Sequence, residues 1–241
     1  MALIAYDRTD ASAFEATRHL RGDALSPWRE AITRHLGPRP GMRVLDLGCG
    51  TATWTAAFRD WWPGIDVVAV EPSAAMRDRA VTGPVLPGDA ASIPVADASV
   101  DAVWLSTVIH HVPDLPAAAR EIRRVLAPGA PVLIRSAFPG RHDGLALCRF
   151  WPETITALEQ HYPAVATIVD AFGGPGAVLE PVTQVSAPSL LDAATCLRRE
   201  AHTLLQLISD EAYEAGLARL HEAARTATGP QLDTLDLLVL R

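Results

Sequence analysis

The stretch VLDLGCGTA sets Gly48 and Gly50 directly behind an apolar run, with Asp46 two residues ahead of the first glycine. Glycines at a strand-to-helix turn let backbone approach a ligand closely, and the helix start behind them offers N–H groups to an anion. A dinucleotide-binding loop would read GxGxxG, but Thr53 stands at the third glycine position and Asp46 would repel a pyrophosphate. The pattern calls for a ligand that carries cations and no phosphate.

Two further carboxylates follow apolar runs at matching intervals. Glu71 ends VVAVE, where an acidic side chain can accept both hydroxyls of a ribose. Asp89 and Ala90 lie in PGDAASIP, where a carboxylate can accept from an adenine amino group and a backbone N–H can meet the ring. S-adenosyl-L-methionine joins these features: an adenosine without phosphate, an ammonium and a sulfonium that Asp46 favours, and a carboxylate for the helix start. The residues expected around it are Asp46, Gly48, Cys49, Gly50, Thr51, Glu71, Pro72, Met76, Asp89, Ala90, Ser106 and Thr107. Cys49 itself reads as a small buried hydrophobe.

The elements that must position these residues alternate. Strands are expected at 43–47, 66–70, 84–87, 100–105 and 131–137, each followed by a helical stretch. That order implies an α/β fold, a doubly wound and mostly parallel sheet covered on both faces, with ligands beyond the strands' carboxyl ends. Ser26 and Pro27 are expected as N-cap and first residue of one helix, closed by Gly37; another begins near Asp114 and ends before Pro128. After Phe138 two helices are expected, then a strand near 178–186 behind GGPG. About forty residues of helical pattern follow, with Tyr213, Leu217, Leu220 and Ala224 on one face, and a seventh strand at 234–240 closes the chain.

With 241 residues, 49% hydrophobic and 20% charged, the chain can bury a sizeable core, and it reads as one domain over 1–241. Its parts are an N-terminal helical lid (1–38), a cofactor-binding core (39–138) and substrate-side helices with the last strands (139–241). A net charge of −7 argues against nucleic acid as partner. Asp7 and Arg8 interrupt the start with no apolar stretch behind them, and no run approaches the roughly 18 apolar residues of a membrane span. The cysteines Cys49, Cys148 and Cys196 are odd in number and far apart, so neither a disulfide framework nor a metal site is expected. A cytoplasmic protein, monomeric or homodimeric, is the expectation.

The chain resembles the class I S-adenosylmethionine-dependent methyltransferases, in particular the large small-molecule group with quinone and natural-product enzymes. VLDLGCGTA resembles the first motif, VVAVEPSAAM the second, GDAASIPVADASVDAVWL the third and fourth, and RRVLAPGAPVLI the fifth strand region. They cover 43–135 in order, whereas 1–42 and 139–241 match only loosely. The family usually has a further glycine where this chain has Ala52, a change that fits if Ala52 has helical dihedrals. The resemblance also implies an N-terminal helix closing over the cofactor, with Phe14 and Arg18 four apart on one face and Tyr6 nearby.

What the resemblance implies is methyl transfer to a small organic acceptor, O-, N- or C-methylation being open. Alternatives are a non-methylating use of the same cofactor, such as cyclisation, or a cofactor-binding regulatory protein. Alignment and water exclusion are the protein's main tasks, and a base is needed only if the acceptor must lose a proton. His111 or His110 could be that base; adjacent residues point apart, so one at most is expected to face the substrate. His202 is expected on a helix surface rather than in the cavity, while residues 187–230 should roof the acceptor pocket, with Arg199, His202 or Leu205 affecting it. Trp28, Trp104, Phe138, Phe150, Trp151 and Phe172 could be aromatic walls or ordinary core.

Overall fold

Seven strands form one sheet in the order β3-β2-β1-β4-β5-β7-β6 in the computed structural model, which describes residues 22–173 and 176–241. The strands are β1 (Arg43–Leu47), β2 (Asp66–Glu71), β3 (Val85–Pro87), β4 (Ala102–Ser106), β5 (Val132–Ser136), β6 (Ala177–Ala187) and β7 (Gln231–Leu240). The first five run parallel, and β7 is antiparallel to both β5 and β6. The mostly parallel, seven-stranded architecture expected from the sequence is what forms. Strand order reverses between β1 and β4, so their carboxyl ends flank the crevice where such sheets bind ligands.

The strands are apolar runs because both faces are covered. On one face Val44, Val67, Trp104 and Leu133 pack beneath helices α1 (Ser26–Leu36) and α2 (Thr53–Trp61), through Trp28, Ile32 and Phe58. On the other, Leu45, Leu47, Val68, Val103, Leu105 and Ile134 meet Ile122 of helix α4 (Leu115–Val125) and Ile168 of α7 (Val165–Phe172). A short helix α3 (Ala74–Arg77) follows β2. Trp28 and Trp104 are completely buried and stand edge-on, centroids 6.4 Å apart. Helix α1, counted in the lid portion of the sequence, is therefore part of the core.

Several local expectations shift. Ser26 does not cap α1: Leu25 holds that position, and a 3₁₀ turn over Gly22–Leu25 feeds the helix directly. Asp114 does cap α4, accepting the Ala117 N–H at 2.8 Å. Three helices rather than two follow β5: α5 (Ala146–Phe150), α6 (Glu153–His161) and α7. Strand β7 starts at Gln231, earlier than its apolar pattern, because a hairpin ladder with β6 pairs its polar first residues. Among the described residues, no helix is long and apolar enough to cross a membrane.

Between β6 and β7 stand helices α8 (Leu190–Cys196), α9 (Thr203–Gln206) and α10 (Asp210–Ala224), broken where one helical run could be read. Arg199 organises the break: its guanidinium donates to the Leu205 and Ile208 carbonyls (2.9 and 2.5 Å) and pairs with Asp210. Leu220 is buried against Phe150, Trp151, Leu190 and Leu205, with Tyr213, Leu217 and Ala224 packed at the margin, as their spacing predicts. Gly216 lies under Trp151, where an added Cβ would stand 2.0 Å from the indole nitrogen. That indole is fixed by its bond to the Tyr213 carbonyl at 2.9 Å. Gly216→Ala should therefore lose up to about 2 kcal/mol, overpacking of about 1–3 being set against a helix-propensity gain of about 1. Urea unfolding should show a lower midpoint, and an unchanged or higher one would mean that α10 does not press on Trp151.

Candidate active site at the carboxyl edge of the sheet

A cavity of about 1020 Å³ opens over the carboxyl ends of β1, β2, β4 and β5 and extends beneath the insertion helices. Its acidic end begins at the glycine loop. The N–H groups of Gly48 and Cys49 both donate to the Val70 carbonyl (2.8 and 3.1 Å), tying the loop to β2. Gly48 has φ 71°, and a Cβ there would come within 2.7 Å of the Val108 methyls, so glycine is required on both counts. Gly50 N–H and Ser73 N–H donate to the two oxygens of Glu71 at 2.9 and 2.8 Å.

Ala52, expected in helical dihedrals, instead has φ 60° and ψ 26°. It is the N-cap of α2, where the chain reverses after Gly50, and its N–H is fixed on the Cys49 carbonyl at 2.9 Å. A left-handed residue other than glycine costs roughly 1–2 kcal/mol, which accounts for the glycine usual at this position in the family it resembles. Thr107, just past β4, is also left-handed (φ 55°), an outlier for a β-branched residue. Its N–H on the Arg135 carbonyl and its hydroxyl on the Ser106 carbonyl, both 2.7 Å, hold it there.

Burial pushes the Asp46 carboxyl up to about 7; the Thr55 hydroxyl, donating at 2.6 Å, opposes this, and the Glu71 charge adds to it. Burial also raises Glu71, against the lowering effect of its two N–H donors. The Cys49 thiol is driven far up by burial and by both carboxylates, so it is no nucleophile and packs as expected. Thr51, Pro72, Met76, Asp89 and Ala90 line the same end, and Ser106 and Thr107 line its β4 side. Phe14, Arg18 and Tyr6 lie outside the described residues.

The other end of the cavity corrects several expectations. His110 and His111, in a 3₁₀ turn after β4, both line it, with ring centroids 4.1 Å apart; the tight turn keeps neighbouring rings together. His110 is also stacked flat on Tyr162, at 4.0 Å and 14°. His202, expected on a helix surface, faces the cavity because α9 is too short to carry it outward. Arg199 and Leu205 do not line it: the first braces the insertion and the second is core. Of the aromatic candidates, Phe150 and Trp151 reach the wall, whereas Trp28, Trp104, Phe138 and Phe172 are core. The insertion supplies Leu190, Leu197 and Leu204, so it does roof this end.

Arg135 and Gln184 are cavity residues that sequence reasoning missed. Both are buried, Arg135 on β5 and Gln184 on β6. The only signal was a lone charge in the apolar run VLIRSA.

Residues 45–134, which carry the glycine loop, Glu71 and Asp89, match the family described as "Methyltransferase domain". The chain is 36% identical over 115 residues to a malonyl-[acyl-carrier protein] O-methyltransferase of Erwinia pyrifoliae, covering 46% of this chain and 43% of that protein. It is 38% identical over 147 residues to a demethylmenaquinone methyltransferase of Mycolicibacterium paratuberculosis, covering 60% and 63%. The chain thus spans about half the length of the curated relatives it matches. Among solved structures it shares its fold with phosphoethanolamine N-methyltransferase 2 of Haemonchus contortus, with a TM-score of 0.62 at 20% identity over 98% of this chain and 58% of that one.

The raised Asp46 carboxyl makes stability pH-dependent. The folded state keeps this proton up to about pH 7, while the unfolded chain releases it near 3.8. The proton therefore favours folding below pH 4, and that contribution is lost as pH rises through 7. Relative to Asp46→Asn, the native protein should lose on the order of a few kcal/mol between pH 4 and 7 in urea unfolding. Parallel pH profiles for the two proteins would show that this carboxyl is not perturbed.

Proposed function

We propose that the chain is an S-adenosylmethionine-dependent methyltransferase acting on a small organic acceptor. The observation that carries this reading is the acidic, glycine-walled end of the cavity, where Asp46 and Glu71 are buried around a loop that leaves no room for a side chain at position 48. Buried carboxylates suit a ligand cation and oppose a pyrophosphate. The match of residues 45–134 to the methyltransferase domain family supports the same ligand. When bound, S-adenosylmethionine supplies a methyl group activated by its sulfonium.

Under this proposal Asp46 favours the ammonium, Glu71 receives the ribose hydroxyls, and Asp89 with Ala90 meets the adenine. Gly48, Cys49, Gly50 and Thr51 give the close backbone approach, Pro72 and Met76 flank the nucleoside, and Ser106 and Thr107 hold the β4 side. Phe14 and Arg18 are proposed to close over it. The insertion helices exclude water from the acceptor, and alignment with desolvation carries most of the rate. His111, with His110 beside it, is the candidate base for an acceptor that must lose a proton. We further take 1–241 to act as one domain in the cytoplasm, as a monomer or homodimer, without nucleic acid.

Glu71→Ala should weaken S-adenosylhomocysteine binding roughly 10- to 150-fold in calorimetry, equivalent to about 1.5–3 kcal/mol for hydrogen bonds to a charged group. Equal binding by the variant would remove Glu71 from the site, and no binding by the native protein would remove the cofactor. For the histidines, His110→Ala and His111→Ala should each keep most of their turnover, with a flat kcat between pH 6 and 8, if alignment dominates. A loss of about 10²–10⁴-fold, with native kcat rising through a pH near 6.5, would instead assign a general base.

A further inference from the structure

We propose that the body of the acceptor is aliphatic, an alkyl, isoprenoid or alicyclic group, and not a flat aromatic ring; this deepens the function proposed above and rests on the cofactor lying at the acidic end of the cavity. At about 1020 Å³ the cavity stands at the upper end of small-molecule sites, about 300–1,000 Å³, and the cofactor would take only its acidic end. The remainder is a chamber with two linings. Strands supply polar groups, Ser136 on β5 and Gln184 and Ser186 on β6. Helices supply leucines: Leu145 and Leu147 at the start of α5, Leu190 and Leu197 at the two ends of α8, Leu204 on α9 and Leu220 on α10. A leucine wall is corrugated by methyl groups, so it grips a branched or kinked hydrocarbon through many small dispersion contacts.

Aromatic faces are the surface a flat acceptor would need, and they are already in use. Trp151 is buried, with its indole N–H on the Tyr213 carbonyl, its ring within 18° of parallel to Tyr213, and Gly216 pressed against the indole. Phe150 meets Trp151 edge-on, and the Arg149 guanidinium stands 5.3 Å from its centroid. Trp54 is packed among Trp28, Phe58, Trp61 and Trp104, with centroids 5.0–6.2 Å away. Tyr162 lies flat on His110 at 4.0 Å. Among the described residues these are the four Trp, Tyr and Phe side chains lining the cavity, so a flat ring would have to displace contacts that they make with one another. Nor does the roof call for charge. Among the described residues Asp192 is the only carboxylate or guanidinium that it adds to the lining, and the Ser189 hydroxyl donates to it at 2.6 Å. Arg198 and Arg219 donate instead to the Leu197 and Phe150 carbonyls, both at 2.7 Å.

The test uses the full chain saturated with S-adenosylhomocysteine and titrated calorimetrically with hexanol, octanol and decanol. A second pair of probes is β-naphthol and perhydro-β-naphthol, which share one carbon skeleton and one hydroxyl but differ in flatness. Each added methylene of the alkanols should tighten binding about three- to fourfold. The perhydro compound should bind at least fivefold more tightly than β-naphthol. Leu197→Asn should weaken decanol binding at least fivefold while S-adenosylhomocysteine affinity stays within threefold; Leu147→Asn, on the α5 side, decides the matter if that variant does not fold. An affinity that does not grow with chain length, or β-naphthol binding as tightly as its perhydro form, overturns the proposal. Decanol binding unchanged in the leucine variants also overturns it, by placing the alcohols elsewhere. If the native protein does not bind S-adenosylhomocysteine at all, the cofactor reading itself fails, and the same probes titrated without it still decide what the chamber accepts.

Discussion

The Val70 carbonyl holds the site together. It accepts from both Gly48 and Cys49, so the loop after β1 cannot move without dragging the end of β2. From that tie the rest follows in sequence. Glu71, the next residue, is brought onto the Gly50 N–H, and the chain must then reverse tightly enough to force Ala52 into a left-handed conformation before α2 begins. Helix α2 in turn delivers Thr55 to Asp46 and Trp54 to the face of Arg135. One bifurcated acceptor thereby fixes the acidic end and, through the helix, reaches the opposite wall.

That arrangement stores free energy at the acidic end of the cavity. Asp46 is held protonated to about pH 7 by burial, and Ala52 and Thr107 occupy strained dihedrals of roughly 1–3 kcal/mol each. Neutral contacts alone would not favour such groups. A cation meeting Asp46 would draw out its ionised form, so binding and deprotonation are coupled at this position. The glycine loop is already tied to β2 through the Val70 carbonyl and Glu71, an ordering that binding need not supply.

The acidic end was legible because it is local in sequence. Strand ends, glycines and carboxylates recur there at fixed offsets, and the parallel topology carries them to one edge. Ala52 was misjudged because its dihedrals are set by the Val70 tie, a contact between strands that spacing does not express. Arg135 and Gln184 escaped notice since they meet only when β6 folds back along β7 beside β5. His202 and Arg199 were misplaced for a related reason: a continuous helical pattern is broken by guanidinium bonds to carbonyls, which redirect both side chains. Where the chemistry depends on one loop, the sequence reveals it; where it depends on which strand lies beside which, only the fold does.

The stretch from Pro188 to Pro230 is, in topological terms, the tip of a hairpin. Its ends are pinned by the β6–β7 ladder, from Ala187–Gln231 at the tip to Ala177–Leu240 at the base. Loop closure entropy grows only logarithmically, about 0.6 kcal/mol per doubling of length, so segments inserted at such a tip leave the sheet almost indifferent to their size. The chamber over Arg135 can thus be widened, narrowed or relined through evolution while the acidic end stays as it is. The lining of the chamber can therefore change through one surface excursion, without any change in the strand ends that hold Asp46 and Glu71.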